Sequence, residues 1–497
     1  MSLKINILAN YFSQIYVAVI GIAILPLYIK HMGAEAYGLV GFFTMLQAWF
    51  GILDMGLTPT ISRETARYRA GLLSSLAFRQ LFRGLSVVFV LIAFVGGGGL
   101  LASADVVATS WLKVEVLSIN EIILVVQIMA ISVALRWIGG LYRGVITGTE
   151  RMVWLSGFNI ILATLRFIAV FVSMWIYGFT PKVFFVHQLI VAFIEVAALF
   201  VMTHKLLPVH DKIMGPLGWS FKPVKQILKF SLTIAFTSSI WILVTQSDKF
   251  ILSGILSLAD YGYFTLAVLV ASSILVISGP ISTAILPRMA KLNAEGEGKE
   301  LISIYRNATQ LVSIIGGSAA VSIALCSETL LALWTGDLEM ASKSSEVLML
   351  YSIGNGLLII SAFPYYLQYA EGNLKYHLIG NVIMLLTLIP LSIFAALKFG
   401  AIGVGVVWLF INLILLLVWV PYVHSKVYLG SHIDWFVNDV LRIILPAAIV
   451  GMFFKSLGVN YFFDIVVLSS SVFLVALFSS GLFWKSINKN NWMKIWK

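Results

Sequence analysis

Residues 9–60 read ANYFSQIYVAVIGIAILPLYIKHMGAEAYGLVGFFTMLQAWFGILDMGLTPT, two apolar runs at 9–29 and 37–60 parted by a short turn that holds Lys30, His31 and Glu35. Each run is long enough for a helix to cross the hydrocarbon of a bilayer, which takes about 20 residues. Only a helix or a closed barrel satisfies its own backbone there. Further stretches pass the same test at 81–101, 116–138, 155–177, 183–203, 230–255, 261–282, 307–326, 346–367, 376–397, 400–422, 438–455 and 461–484. The pattern predicts an all-α polytopic membrane protein of about 14 transmembrane helices, with 12 as the fallback because 438–455 is short and carries Arg442 and Lys455 at its ends. The run after Lys4 is too long for a signal peptide and has no small-residue cleavage site behind it, so the first helix is expected to be retained.

Composition agrees. Of 497 residues 60% are hydrophobic and 11% charged, with a mean hydropathy of +0.98, whereas a soluble domain is about a quarter charged. The single Cys326 excludes a disulfide framework, and seven scattered His without a metal-ligand spacing make a metal site or resident cofactor unexpected. The net charge of +11 sits in short loops with no aromatic-basic module around it, which points to anionic membrane lipids rather than nucleic acid.

Loop charge orients the chain, because Lys and Arg are held on the cytoplasmic side. The loops joining even to odd helices, with both termini, carry 25 of the 33 basic residues, and the opposite loops carry seven. Both termini are therefore expected in the cytoplasm. The longest opposite loops, about 102–115 and 327–345, are shorter than the ~50 residues of a folded domain. That argues against an enzyme such as a polymerase, ligase or glycosyltransferase and leaves transport or flipping.

The turn Gly33-Ala34-Glu35-Ala36-Tyr37-Gly38 returns as Ser257-Leu258-Ala259-Asp260-Tyr261-Gly262, with the Tyr-Gly pairs 224 residues apart. A repeat of six helices is even, so both copies enter the membrane in the same direction, as parallel repeats around a central cavity. The expected organisation is an N-lobe at 1–205, a cytoplasmic linker at 206–228 containing Pro208, Pro216 and Pro223, a C-lobe at 229–425, and two extra helices with a basic tail at 426–497.

Asn10-Tyr11 through Pro26-Leu27-Tyr28, the turn at 33–38, Leu53-Asp54-Met55-Gly56-Leu57 with Arg63, Tyr142-Arg143-Gly144 with Gly148, and Gln246-Ser247-Asp248-Lys249 resemble the oligosaccharide (Wzx-type O-antigen) flippases. These belong to the multidrug/oligosaccharidyl-lipid/polysaccharide exporter superfamily. The resemblance covers the N-lobe and the C-lobe through the eighth helix, and it fades towards the C-terminus. It implies two six-helix lobes that alternate between inward-open and outward-open states in a bacterial cytoplasmic (inner) membrane. The implied cargo is an undecaprenyl-diphosphate-linked oligosaccharide, moved to the periplasmic leaflet. A proton or sodium gradient would drive it, since the chain has no nucleotide-binding motif. Polysaccharide polymerase and chain-length machinery are the implied protein partners of an expected monomer. Fourteen helices match the layout of lipid II flippases, which stand as the alternative cargo reading beside a cation-coupled multidrug exporter.

An ionisable side chain at membrane depth costs about 2.5–3.5 kcal/mol on insertion scales, so each is a functional candidate. Arg166 lies at the centre of the fifth helix and Glu195 near the centre of the sixth. They either pair across this hairpin with no further role, or Arg166 offers its donors to a diphosphate while Glu195 exchanges a coupling proton. Asp248 and Lys249 are candidates to line the cavity, pointing about 100° apart on the seventh helix. Asp54 is either a gate charge or a partner for backbone freed by Pro59, or for Arg63. Arg63, Arg136 and Arg143 are candidates to recruit the headgroup at the cytoplasmic face, the last two flanking Gly139-Gly140 at the expected end of the fourth helix.

Overall fold

The computed structural model describes residues 3–208, 218–428 and 430–484. Residues 209–217 of the expected linker, the basic tail at 485–497 and the side chain of Lys4 lie outside the described residues. Every regular element among the described residues is a helix, and twelve stretches are long and apolar enough to cross a membrane. The chain is an all-α, multi-pass membrane protein. Lys375–Val427, at 53 residues, is the longest of the twelve, and it bends at Gly400, where φ is 59° and ψ −142°. Glycine adopts that backbone at little cost, and the bend falls at the first residue of the run expected at 400–422, just after the one expected at 376–397.

The helices form two compact units, Met1–Gly262 and Tyr263–Lys497. The first contains α1 (Leu3–Ala23), α2 (Leu25–Met32), α3 (Ala34–Phe50), α4 (Leu57–Arg69), α5 (Ser75–Ala102), α6 (Ile119–Gly148), α7 (Met152–Ala163), α8 (Val170–Tyr177), α9 (Pro181–Leu206) and α10 (Lys222–Ser253). Local sequence starts several of them. Ser74, Ser118 and Thr180 cap α5, α6 and α9 by accepting from the amides of Ala77, Glu121 and Val183, each worth about 1 kcal/mol. Pro181 opens α9 where its missing N–H costs nothing. In the run Gly96–Gly99, a Cβ on Gly97 would lie 2.7 Å from the Ala134 Cβ of α6, so this glycine serves close helix packing.

Both copies of the repeated turn belong to the first unit, and they meet. A Cβ on Gly262 would lie 2.8 Å from the Ala34 carbonyl oxygen and 3.0 Å from the Gly38 nitrogen, and one on Gly38 would fall on the carbonyl oxygen of Leu258. The segment 111–117 straps across this contact. Its Trp111 Nε1 donates to Ser253 Oγ (2.9 Å), its Lys113 Nζ donates to the Ile255 carbonyl (2.6 Å), and the Leu258 amide donates to the Lys113 carbonyl (2.8 Å). The buried Glu35 carboxylate accepts the amides of Glu115, Val116 and Leu117 at 2.5, 3.0 and 2.7 Å, a backbone nest that replaces the water the charge has lost. Gly38→Ala is therefore expected to destabilise the protein by about 1–3 kcal/mol through overpacking. Melting in detergent checks this, with Gly98→Ala, which has open space around it, expected to leave the transition unchanged.

The second unit begins within α11 (Leu258–Ala294) and continues through α12 (Gly298–Val312), α13 (Leu338–Ser361), α14 (Lys375–Ile414), α15 (Val420–Val427), α16 (Arg442–Ser456) and α17 (Phe462–Ser479). Tyr305, Phe363, Tyr366 and Trp435 form the aromatic part of its core. The two C-terminal helices are built into it: Ile443, Ala447, Leu468, Val472 and Ala476 pack with Ile314 and Cys326 in one cluster. Asp439, wholly buried, accepts from Arg306 Nε (2.6 Å) and Gln310 Nε2 (2.6 Å), and Gln310 Oε1 accepts the Leu482 amide (3.0 Å). One buried carboxylate thus ties α12 to the segment before α16 and to the chain just past α17.

Candidate functional site

Four of the eight candidate residues come together inside the first unit. Helix α6 runs to Gly148, ten residues beyond the end expected at 138, which sets Arg136 twelve residues (about 18 Å) before the helix terminus. Arg136 and Arg143 are seven residues apart on α6, and Gln188 and Glu195 are seven apart on α9, so each pair occupies one helix face about two turns apart. The two faces meet in register. Arg136 Nη2 donates to Gln188 Oε1 (2.8 Å) and Arg143 Nη2 to Glu195 Oε1 (2.6 Å), each contact spanning 52 positions.

Arg166 reaches the same group from a π-helical segment, Thr164–Ala169, that joins α7 to α8. A π turn misaligns backbone carbonyls and recurs at functional positions. Here three successive carbonyls are taken by side chains: His187 Nε2 donates to Leu165 (2.9 Å), Gln188 Nε2 to Arg166 (2.8 Å) and the Tyr28 hydroxyl to Phe167 (2.9 Å). Those bonds fix the turn so that Arg166 Nη2 donates to Glu195 Oε2. Arg143 Nη1 also donates to Asn159 Oδ1 (2.7 Å), and Arg136 Nη1 to Gln47 Oε1 (2.6 Å), with the Arg136 guanidinium 5.0 Å from the Phe43 ring centre.

The electrostatic balance is uneven. The group holds three guanidiniums and one carboxylate; Glu195, whose side chain is 4% exposed, pairs with Arg143 and Arg166, which are 28% and 22% exposed. Arg136 has amide oxygens as its hydrogen-bond acceptors, and the buried Nε–H groups of Arg136 and Arg166 have no acceptor among the described residues. An unmet buried donor costs about 1–3 kcal/mol, more when charged. The group thus carries a surplus of positive charge and two unmet buried donors.

The other candidates stand apart from it. Asp54 accepts from the Thr58 amide (3.2 Å) and hydroxyl (2.5 Å), so it caps α4 after a left-handed break at Met55 and Gly56 (φ 46° and 67°). Arg63 pairs with the buried Glu64 at 3.8 Å. Asp248 and Lys249 do not diverge as their helical spacing suggests: the Asp248 carboxylate turns back to the Lys249 amide (2.7 Å), which brings it to 3.8 Å from Lys249 Nζ. Sequence reasoning passed over Gln47, Asn159 and Gln188. The available signal was an amide inside an apolar run, and for Gln188 its seven-residue offset from Glu195.

Comparison with known proteins fits this architecture. A protein of Shigella flexneri named for O-antigen transport is 23% identical over 419 residues, covering 82% of this chain and 94% of that one. The solved structure of the lipid II flippase MurJ in an inward closed conformation superposes with a TM-score of 0.71 at 15% identity, over 98% of this chain and all of that one. An inward-facing multidrug resistance transporter of the MATE family, in the MOP superfamily, gives 0.62 at 14% identity, over 83% and 96%. These two structures share the fold. The family described as polysaccharide biosynthesis protein matches residues 3–293, more than half of the sequence, and the chain belongs to that family.

Proposed function

We propose that the protein is a flippase that carries an undecaprenyl-diphosphate-linked oligosaccharide, the repeat unit of O-antigen or another surface polysaccharide, from the cytoplasmic to the outer leaflet by alternating access. The surplus of guanidinium around Glu195 is the observation that carries this reading. A diphosphate offers the oxygens that the free Nε–H groups of Arg136 and Arg166 lack, and Arg binds such groups through a fixed fork of donors. Family membership and the Shigella flexneri relative point to a lipid-linked glycan as the molecule bearing it. Arg136 and Arg166 take the anion, Arg143 holds Glu195, and Glu195 is the counter-ion that cargo displaces from Arg166. Asp248 and Lys249 line the path, while Asp54 and Arg63 serve the cytoplasmic gate.

The same reading includes fourteen spans: Lys375–Val427 counts twice because of the bend at Gly400, and the 32-residue α10 adds one. Twelve of them form lobes at 1–205 and 229–425, the last two follow at 426–497, both termini lie in the cytoplasm, and an ion gradient supplies the energy. A lipid II cargo is the second reading, favoured by the superposition over 98% of the chain. A cationic drug would face a surplus of positive charge.

The test is leaflet exposure of an undecaprenyl-diphosphate oligosaccharide in proteoliposomes. Charge-assisted hydrogen bonds contribute about 1.5–3 kcal/mol, so Arg136→Gln is expected to slow flipping about 10–100-fold while its melting transition stays close to that of the wild type. Flipping at the wild-type rate by Arg136→Gln and Arg166→Gln would remove the assignment of the site.

A further inference from the structure

A second cluster of titratable side chains lies wholly in the second unit and has no part in the proposed transport site. The Tyr305 hydroxyl of α12 is 2.6 Å from His424 Nε2 of α15, and His424 Nδ1 is 2.8 Å from His432 Nδ1. Tyr305 and His424 are buried, whereas His432 is partly exposed. The three side chains form a hydrogen-bonded chain from the surface into the core.

Chemistry limits how many protons that chain can hold. Two ring nitrogens 2.8 Å apart need one proton between them. In the neutral pair, one Nδ1 donates and the other accepts. One added proton is accommodated when His432, now carrying both N–H groups, donates to His424 Nδ1 and His424 Nε2–H donates to the Tyr305 oxygen, a charge-assisted bond in place of a neutral one. A second added proton would set two Nδ1–H groups against each other, with no acceptor between them.

The surroundings suit a single cation. The Phe436 ring is stacked on His432 with centres 6.0 Å apart, and an aromatic face within about 6 Å accepts a cation; the Trp435 ring lies 4.7 Å from His424 and 5.6 Å from His432. The charged groups nearby are Arg306 on α12, next to Tyr305, and Asp434 and Asp439, both paired with Arg306. They sum to one negative charge. Tyr428, just past α15, has its ring 4.7 Å from His424 and a hydroxyl that burial pushes up to about 12, so it stays neutral throughout the range in which imidazoles titrate.

We propose that His424 and His432 form a proton-binding site that takes up one proton between them and excludes a second. The bound proton strengthens the hydrogen bond that holds His432 to α15, so the protonation of His432 sets how firmly the two are joined. The proposal is independent of the flippase reading. Its test is potentiometric titration of the full-length protein in detergent between pH 8 and 4.5, set against the double variant His424→Gln/His432→Gln. The expected difference is one proton per chain. A difference of two would show independent histidines, and none would show a pair that never protonates; either overturns the proposal. Should the double variant fail to fold, ¹⁵N-histidine spectra of the wild type decide alone. A single shared protonation step for two rings is expected, and two separate full titrations, or no titration of either ring, reject it.

Discussion

Glu195→Gln is expected to give a protein that melts far below the wild type and accumulates poorly in the membrane. The substitution removes the one carboxylate among three guanidiniums and leaves Arg143 and Arg166 facing each other across a neutral amide. Breaking a buried ion pair from one side costs about 3–5 kcal/mol, because the remaining charge keeps its desolvation penalty and loses its compensation. Removing a cation as well should return most of that stability: Glu195→Gln/Arg166→Gln is expected to melt nearer the wild type than the single variant does. Thermal unfolding of the detergent-purified variants measures both. A single variant as stable as the wild type would mean that Glu195 is not the counter-ion of the group.

Asp439→Ala is expected to have an effect of similar size in the second unit. It strips the acceptor from Gln310 Nε2 and two of the contacts of Arg306, again about 3–5 kcal/mol for one side of a buried pair. Arg306 keeps the half-exposed Asp434, so one charge partner remains and the loss concentrates on the buried side. Because Gln310 also accepts the Leu482 amide, the damage should reach the chain after α17. Limited proteolysis of the variant is expected to clip the C-terminal helices before the rest of the protein. Cleavage unchanged from the wild type would show that the hydrophobic cluster of Ile443, Leu468 and Val472 holds those helices unaided.

Part of the proposed transport site could be read from the chain. Arg166 and Glu195 stood out because charge is rare within these apolar runs, and their pairing across the hairpin follows from the cost of leaving either one alone. Arg136 and Arg143 were legible as charges but placed at a helix end, since hydropathy falls off near 138 while the helix continues on packing to Gly148. The buried strips of that last stretch, Leu141, Gly144, Val145, Ile146 and Gly148, belong to a helix sheltered by protein, which needs less hydrophobicity than one facing lipid. The His424–His432 pair and the Glu35 nest gave no sequence signal, because each depends on groups brought together by the fold.

The sequence by itself determined the solvent and the secondary structure: long apolar runs can satisfy their backbones in a bilayer only as helices. Tertiary structure decided which charges are compensated. Hydropathy is a sum along the chain, whereas the balance at Arg136, Arg143, Arg166 and Glu195 depends on the register of α6 against α9 and on a π turn held by His187, Gln188 and Tyr28. Those are contacts between residues far apart in sequence, and their energies exist only once the helices have packed.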